Sequence, residues 1–172
     1  YLVKGFEFRD KWRNEELITT SIAPHAPYSV SNEAFTLINT YSEELNINIH
    51  THLHETQWEI DQSIDKYGIT PVQRLNNLGI IGPSLMAAHC VYLNDQDMDI
   101  LAKNKVSIAH NPSSNMKLGS GIADVAKMLK QNLTVSLGTD SSASNNRLDI
   151  MGEMRLAALL IKGTTKSPEL IP

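Results

Sequence analysis

Five short apolar runs recur along the chain, each followed by turn residues and then by a helical pattern. They occupy residues 17–23, 47–53, 85–91, 105–109 and 133–138. They are rich in β-branched side chains and lack strict polar alternation, the pattern of strands covered on both faces. Between them, apolar positions repeat at helical spacing. Ser31 is placed to cap a helix with the stripe Ala34, Leu37, Ile38, Tyr41 and Leu45, and Asn94 to cap one carrying Met98, Leu101 and Ala102. Ile122, Val125, Ala126 and Leu129 line a third helix. Leu148, Met151, Met154, Ala158 and Ile161 line a fourth, whose stripe reads as core packing. Residues 59–78 are helical too, with a break near 68–71, where Gly68 and Pro71 stand. Strand and helix in alternation predict βα units and a parallel sheet of five strands. No linker composition divides this α/β unit.

In parallel α/β folds of the barrel type, chemistry collects at the carboxyl ends of the strands. The polar residues fall there. The first run ends at "APHAPY" with His25 and the second with His52 and Glu55. The third ends in "AAHCV" with His89, the fourth in "AHNPSSN" with His110 and Asn111, the fifth in "GTDSS" with Asp140. A period of two sends His50, His52 and His54 to one face, with His52 nearest the rim and Glu55 just past it. Ser136, Gly138 and Asp140 share a face in the same way, and small residues below the aspartate leave room for a ligand. Imidazole and carboxylate together suit one divalent ion, zinc first and iron as the alternative. A plainer reading stands beside each residue. His50 reads as a polar residue of an interior layer and His54 as a packing or loop contact. His110 reads equally as a substrate contact or a hydrogen-bonding scaffold, and "HNPSSN" is also ordinary turn chemistry.

Composition narrows the partners. The 172 residues are 41% apolar and 20% charged, which is globular, and suffice for one domain with a core. A net charge of −4 without a basic run argues against nucleic acid and anionic membranes. No apolar run approaches the roughly 20 residues that span a bilayer, and no signal-peptide pattern is present. Cys90 is the one cysteine, which excludes an internal disulfide and fits a reducing, cytoplasmic setting. It also excludes the zinc deaminases that bind metal through a P-C-x-x-C element.

In this order, "PHAPYSVS", "HLHET", "AAHCVYL", "AHNPSSNMKLGSGIADV" and "LGTDSSASNNRLDIMGEMRLAALL" resemble the amidohydrolase superfamily. The resemblance runs from about Trp12 onward and is closest to the 5-methylthioadenosine/S-adenosylhomocysteine deaminases and their chlorohydrolase-like relatives. It implies part of a (β/α)8 TIM-type barrel, strands four to eight with their helices. The first three strands and the family's small β-sandwich domain, together with an H-x-H metal pair on the first strand, have no counterpart among these 172 residues. The resemblance implies His52 as a metal ligand, Glu55 as proton shuttle and His89 as a partner of the attacking hydroxide. Asp140 would be both ligand and base, while His25, His110 and Asn111 would stand near the substrate. The implied activity of the complete protein is metal-dependent deamination of 5-methylthioadenosine or S-adenosylhomocysteine to the inosine form plus ammonia.

Alternatives stay open at this point. "GTDSSASNN" departs from the Gly-Ala common after the aspartate in relatives, so the same site could serve guanine deamination or triazine dechlorination. The chain as it stands could also be a catalytically silent half-barrel, and the open edges of such a sheet favour pairing with a second copy.

Overall fold

The computed structural model describes residues 2–171. After helix α1 (Leu2–Trp12), the order is β1 (Ser21–Ile22), α2 (Asn32–Leu45), β2 (Asn48–Leu53), α3 (Gln57–Tyr67), α4 (Pro71–Asn77) and β3 (Leu85–His89). Then come α5 (Asp95–Lys103), β4 (Ser107–His110), α6 (Pro112–Leu118), α7 (Val125–Lys130), β5 (Thr134–Leu137) and α8 (Ile150–Thr165). The five strands are all parallel and lie in sequential order, β1-β2-β3-β4-β5. A doubly wound sheet reverses its strand order partway. This one never does, which is the winding of a barrel wall.

Local chemistry accounts for most boundaries. Ser31 Oγ accepts the Ala34 N–H and Asn94 Oδ1 the Asp97 N–H, so both expected caps form. Gly68, in the left-handed region at φ 72°, ends α3, and Thr70 with Gln73 makes a full capping box that starts α4 at Pro71. The "NPSSN" turn is in fact the short helix α6, with Pro112 in its first turn. The first apolar run shrinks to the two residues of β1. Among the described residues it pairs only with β2, and Leu17 upstream is 99% exposed. Residues 2–12 carried no helical expectation, yet they form α1, which buries none of its residues.

Register sets the two faces of the sheet. Thr51, Ala87, Ile108 and Val135 form one row, continued by Ile49, Leu53 and Leu85, and it packs under the helices. Phe35, Leu75, Met98, Leu101 and Met128 close the core above it. The opposite face carries His52, Ala88, Ala109 and Ser136 in one row and His50, Met86, Ser107 and Thr134 in the next. Strands covered on both faces were expected. Among the described residues the helices cover one, and His50 and Met86 lie exposed on the other. His50 thus stands on the sheet face opposite the helices, the face that a closed barrel turns inward.

Two stripes are also phased differently from expectation. Helix α2 buries Phe35, Ile38 and Ser42, leaving Leu37 exposed. Helix α8 buries Glu153, Ala157 and Ile161, while Leu148, Met151 and Met154 are half exposed or more. A sequence stripe reports apolar surface but not whether a neighbour covers it.

Candidate active site

The carboxyl ends of β2, β3 and β5 bring three potential ligands together. One nitrogen each from His52 and His89 and one carboxylate oxygen of Asp140 all lie within 4.8 Å of one another. His52 reaches the site directly, because it stands on the open face of the sheet in one row with the small side chains of Ala88, Ala109 and Ser136. Its ring donates from Nδ1 to the His25 carbonyl at 2.6 Å, and its backbone N–H donates to the same oxygen at 3.2 Å. A donating Nδ1–H leaves Nε2 with its lone pair, the form a metal requires.

His89 arrives by another route. Its register partner is Leu53, so strand alternation alone would aim it at the helices. Its backbone is left-handed, φ 73°, and so is that of Cys90 at φ 50°. This turn brings the imidazole face to face with His52, ring centres 5.4 Å apart and planes 24° from parallel. The ring is buried, and Nδ1 donates to Asn115 Oδ1 at 2.8 Å, again leaving Nε2 bare. A non-glycine residue with this backbone costs on the order of 1–3 kcal/mol and persists only where surrounding contacts impose it.

Asp140 is likewise left-handed, φ 59°. Its Oδ2 accepts hydroxyl hydrogen bonds from Ser114 and Ser144, each at 2.6 Å. Burial pushes its carboxyl up. The two hydroxyls and the Ser141 backbone outweigh that and hold it below the usual aspartate value. Glu55 sits past the end of β2, its side chain 20% exposed. Its Oε1 accepts from Ser120 Oγ at 3.2 Å, and its Oε2 is 3.7 Å from His89 Nε2. That is too far for a direct bond, and close enough for both groups to reach one atom between them.

The donor set fits zinc. Bonds of about 2.0–2.2 Å in a tetrahedral shell put neighbouring ligand atoms roughly 3.4 Å apart. A cluster spread over as much as 4.8 Å leaves room for an ion and its water among these three side chains.

The other expected residues divide. His25 is at the site: its ring lies 5.1 Å from that of His52, and its Nδ1 and Ser29 Oγ are 2.8 Å apart. Asn111 is buried at the N-cap of α6 without making the cap bond, and its Oδ1 has no partner. His110 does not join the ligand atoms. Its register partner is Leu137, on the row that faces the helices, and it lines the cavity between β5 and α8 with Val135, Met154 and Ala157. Burial lowers its pKa to about 4. His54 is a structural tie: Nδ1 donates to the Tyr92 carbonyl at 2.8 Å, and Nε2 accepts the Val72 N–H at 3.2 Å. Burial lowers it to about 4 as well, so its 3.9 Å approach to Asp97 joins a neutral ring to a carboxyl and is no ion pair.

The residues that orient the site carry little sequence signal. Asn115 and Ser114 stood inside an apparent turn, and Ser120 and Ser144 are two serines among many. Glu153, on α8, accepts the Ser113 N–H at 3.0 Å and Asn145 Nδ2 at 2.7 Å, tying the loops after β4 and β5 together.

Strand order and register are those of a (β/α)8 barrel wall, with the cluster at the rim where its strands end. The model of the amidohydrolase family matches residues 3–169, and the chain belongs to that family. It is 42% identical over 173 residues to a 5-methylthioadenosine/S-adenosylhomocysteine deaminase of Dictyoglomus turgidum, covering 99% of this chain and 41% of that protein. It is 46% identical to a 5'-deoxyadenosine deaminase of Methanococcoides burtonii, covering 99% and 40%. The chain thus spans about 40% of the length of these curated relatives. Its fold superposes with a TM-score of 0.94 on the crystal structure of an adenosine deaminase from Xanthomonas campestris with bound zinc, at 36% identity over 98% of this chain and 38% of that one.

Proposed function

We propose that in the whole protein this chain supplies strands four to eight of an amidohydrolase barrel that deaminates an adenosine derivative. The reading rests on one observation. Two histidines, each with Nδ1 committed to a fixed acceptor, turn a bare Nε2 toward the spot that Asp140 and Glu55 also face. The named activities of the relatives favour 5-methylthioadenosine or S-adenosylhomocysteine. The 46% identity to a 5'-deoxyadenosine deaminase supports that nucleoside as a second substrate.

His52 and Asp140 would hold the ion, joined by ligands from the part of the barrel outside this chain. Bound zinc supplies a water whose pKa falls from about 16 toward 7. Asp140, held as a carboxylate by Ser114 and Ser144, would be the base that takes a proton from the attacking water. Glu55 delivers a proton to the ring nitrogen beside the amino-bearing carbon, making that carbon electrophilic. His89 Nε2 accepts a hydrogen bond from the incoming hydroxyl. The carbon–oxygen bond would form and the carbon–nitrogen bond break: the amino group would leave as ammonia with the proton Asp140 took from the water, and the proton of the added hydroxyl would return to Glu55 as the ring carbonyl forms.

Ammonia release by the full-length protein, assayed across adenosine derivatives, guanine and a triazine, tests the assignment. Glu55→Gln is expected to lower turnover by about 100- to 10,000-fold, the usual worth of a general acid–base group, with zinc still bound. Normal turnover by that variant removes Glu55 from the mechanism, and no ammonia from any adenosine derivative removes the deaminase.

A further inference from the structure

A second carboxylate lies beside Glu55 and has no part in the chemistry above. Glu59 is 1% exposed, on the first turn of α3. Thr56 caps that helix and accepts the Glu59 N–H at 3.3 Å, so Glu59 occupies the position from which a capping-box side chain returns to the cap residue's own N–H. Gln73 does this at the start of α4, bonding the Thr70 N–H at 3.1 Å. Glu59 reaches one residue further back: its Oε2 accepts the N–H of Glu55 at 2.9 Å.

The arrangement is costly for a mere cap. The other oxygen, Oε1, is buried with no partner, and burial raises the carboxyl to about 7 against the backbone N–H groups that lower it. A glutamine caps α4 at no such cost. The bond also falls at a strained corner. His54, immediately before Glu55, is left-handed at φ 54°, and both its ring nitrogens are tied to other segments. The turn from β2 into α3 is thus clamped on both sides of one peptide. The side chain leaving it is the one that faces His89.

We propose that Glu59 is a positioning residue for the proton shuttle: its carboxyl anchors the Glu55 backbone N–H and thereby fixes where the Glu55 carboxylate stands relative to His89. The inference rests on the deaminase reading for its consequence and on the 2.9 Å bond for its cause.

The test compares Glu59→Met, which fills the volume without an acceptor, with Glu59→Gln, which keeps one, both in the full-length protein. Glu59→Met is expected to lower kcat by about 10- to 100-fold, the cost of a misplaced catalytic group, with KM and zinc content unchanged. Glu59→Gln is expected to stay within about threefold of the wild type, because its amide oxygen accepts the same N–H. Deuterium uptake by the peptide spanning 53–60 is expected to speed up in Glu59→Met alone. Wild-type kcat in Glu59→Met, equal impairment of both variants, or loss of zinc or a collapse in melting temperature in Glu59→Met each overturns the proposal. The exchange measurement needs no substrate. Inactivity of the wild type on every adenosine derivative would therefore sink the deaminase reading while unchanged uptake in Glu59→Met would sink the anchor.

Discussion

Asn115→Leu isolates the orientation of His89. The amide oxygen of Asn115 accepts from His89 Nδ1 at 2.8 Å, and the ring is 1% exposed, so no water can replace the lost acceptor. Leaving a buried donor unpaired costs about 1–3 kcal/mol. The neutral ring can avoid that cost by moving its proton to Nε2, which spoils the nitrogen that faces the site. The hydrogen bond now holding the proton on Nδ1 is therefore worth roughly 5- to 150-fold in the ratio of the two tautomers. The expected result is a kcat lowered within that range, with zinc stoichiometry intact and KM little changed. Asn115→Asp keeps an acceptor in the same place and is expected to recover most of the rate. Steady-state kinetics of the two full-length variants, with zinc measured on the same samples, decide the matter. A Leu variant within twofold of the wild type, or an Asp variant no better than Leu, refutes the reasoning.

Other outcomes follow from the buried polar groups. Glu153→Leu removes the acceptor shared by Ser113 and Asn145 and is expected to cost about 2–5 kcal/mol of unfolding free energy, with faster proteolysis across residues 139–149. His54 titrates near 4 in the folded chain against an unfolded value near 6.5, so the fold favours its neutral form. That stability is complete above pH 6.5 and is lost as pH falls toward 4, by about 3 kcal/mol, a loss readable in denaturant midpoints. A flat profile over that window would contradict the buried, doubly bonded ring. Glu59 has the opposite sign: its folded value near 7 lies above the unfolded one, so its stability is present below pH 4.5 and is lost as pH rises through 7. Glu59→Gln is expected to be neutral near pH 4 and stabilising at pH 8 by up to about 3 kcal/mol, and equal effects at both would refute the assignment.

Much of this was written in short-range patterns. The five β-branched runs became the five strands, the polar caps at Ser31 and Asn94 formed, and Gly68 with Pro71 broke the helical stretch between β2 and β3. These features depend on backbone propensity and on bonds between neighbours along the chain, which the local residue order fully specifies. One rule, that parallel strands deliver their carboxyl ends to one rim, is the ground for expecting His25, His52, Glu55, His89, His110, Asn111 and Asp140 near one site.

Direction and coverage were not written locally. Alternation assigns His89 and His110 to the same helix-facing row, since they pair with Leu53 and Leu137. His89 escapes through a left-handed backbone that its contacts to Asn115 and His52 support, whereas His110 stays. The exposed Met151 and Met154 look as apolar as any core stripe until the neighbouring elements are in place. Backbone sign and burial at such positions are set by partners 25 or more residues away, and no pattern of adjacent residues contains them.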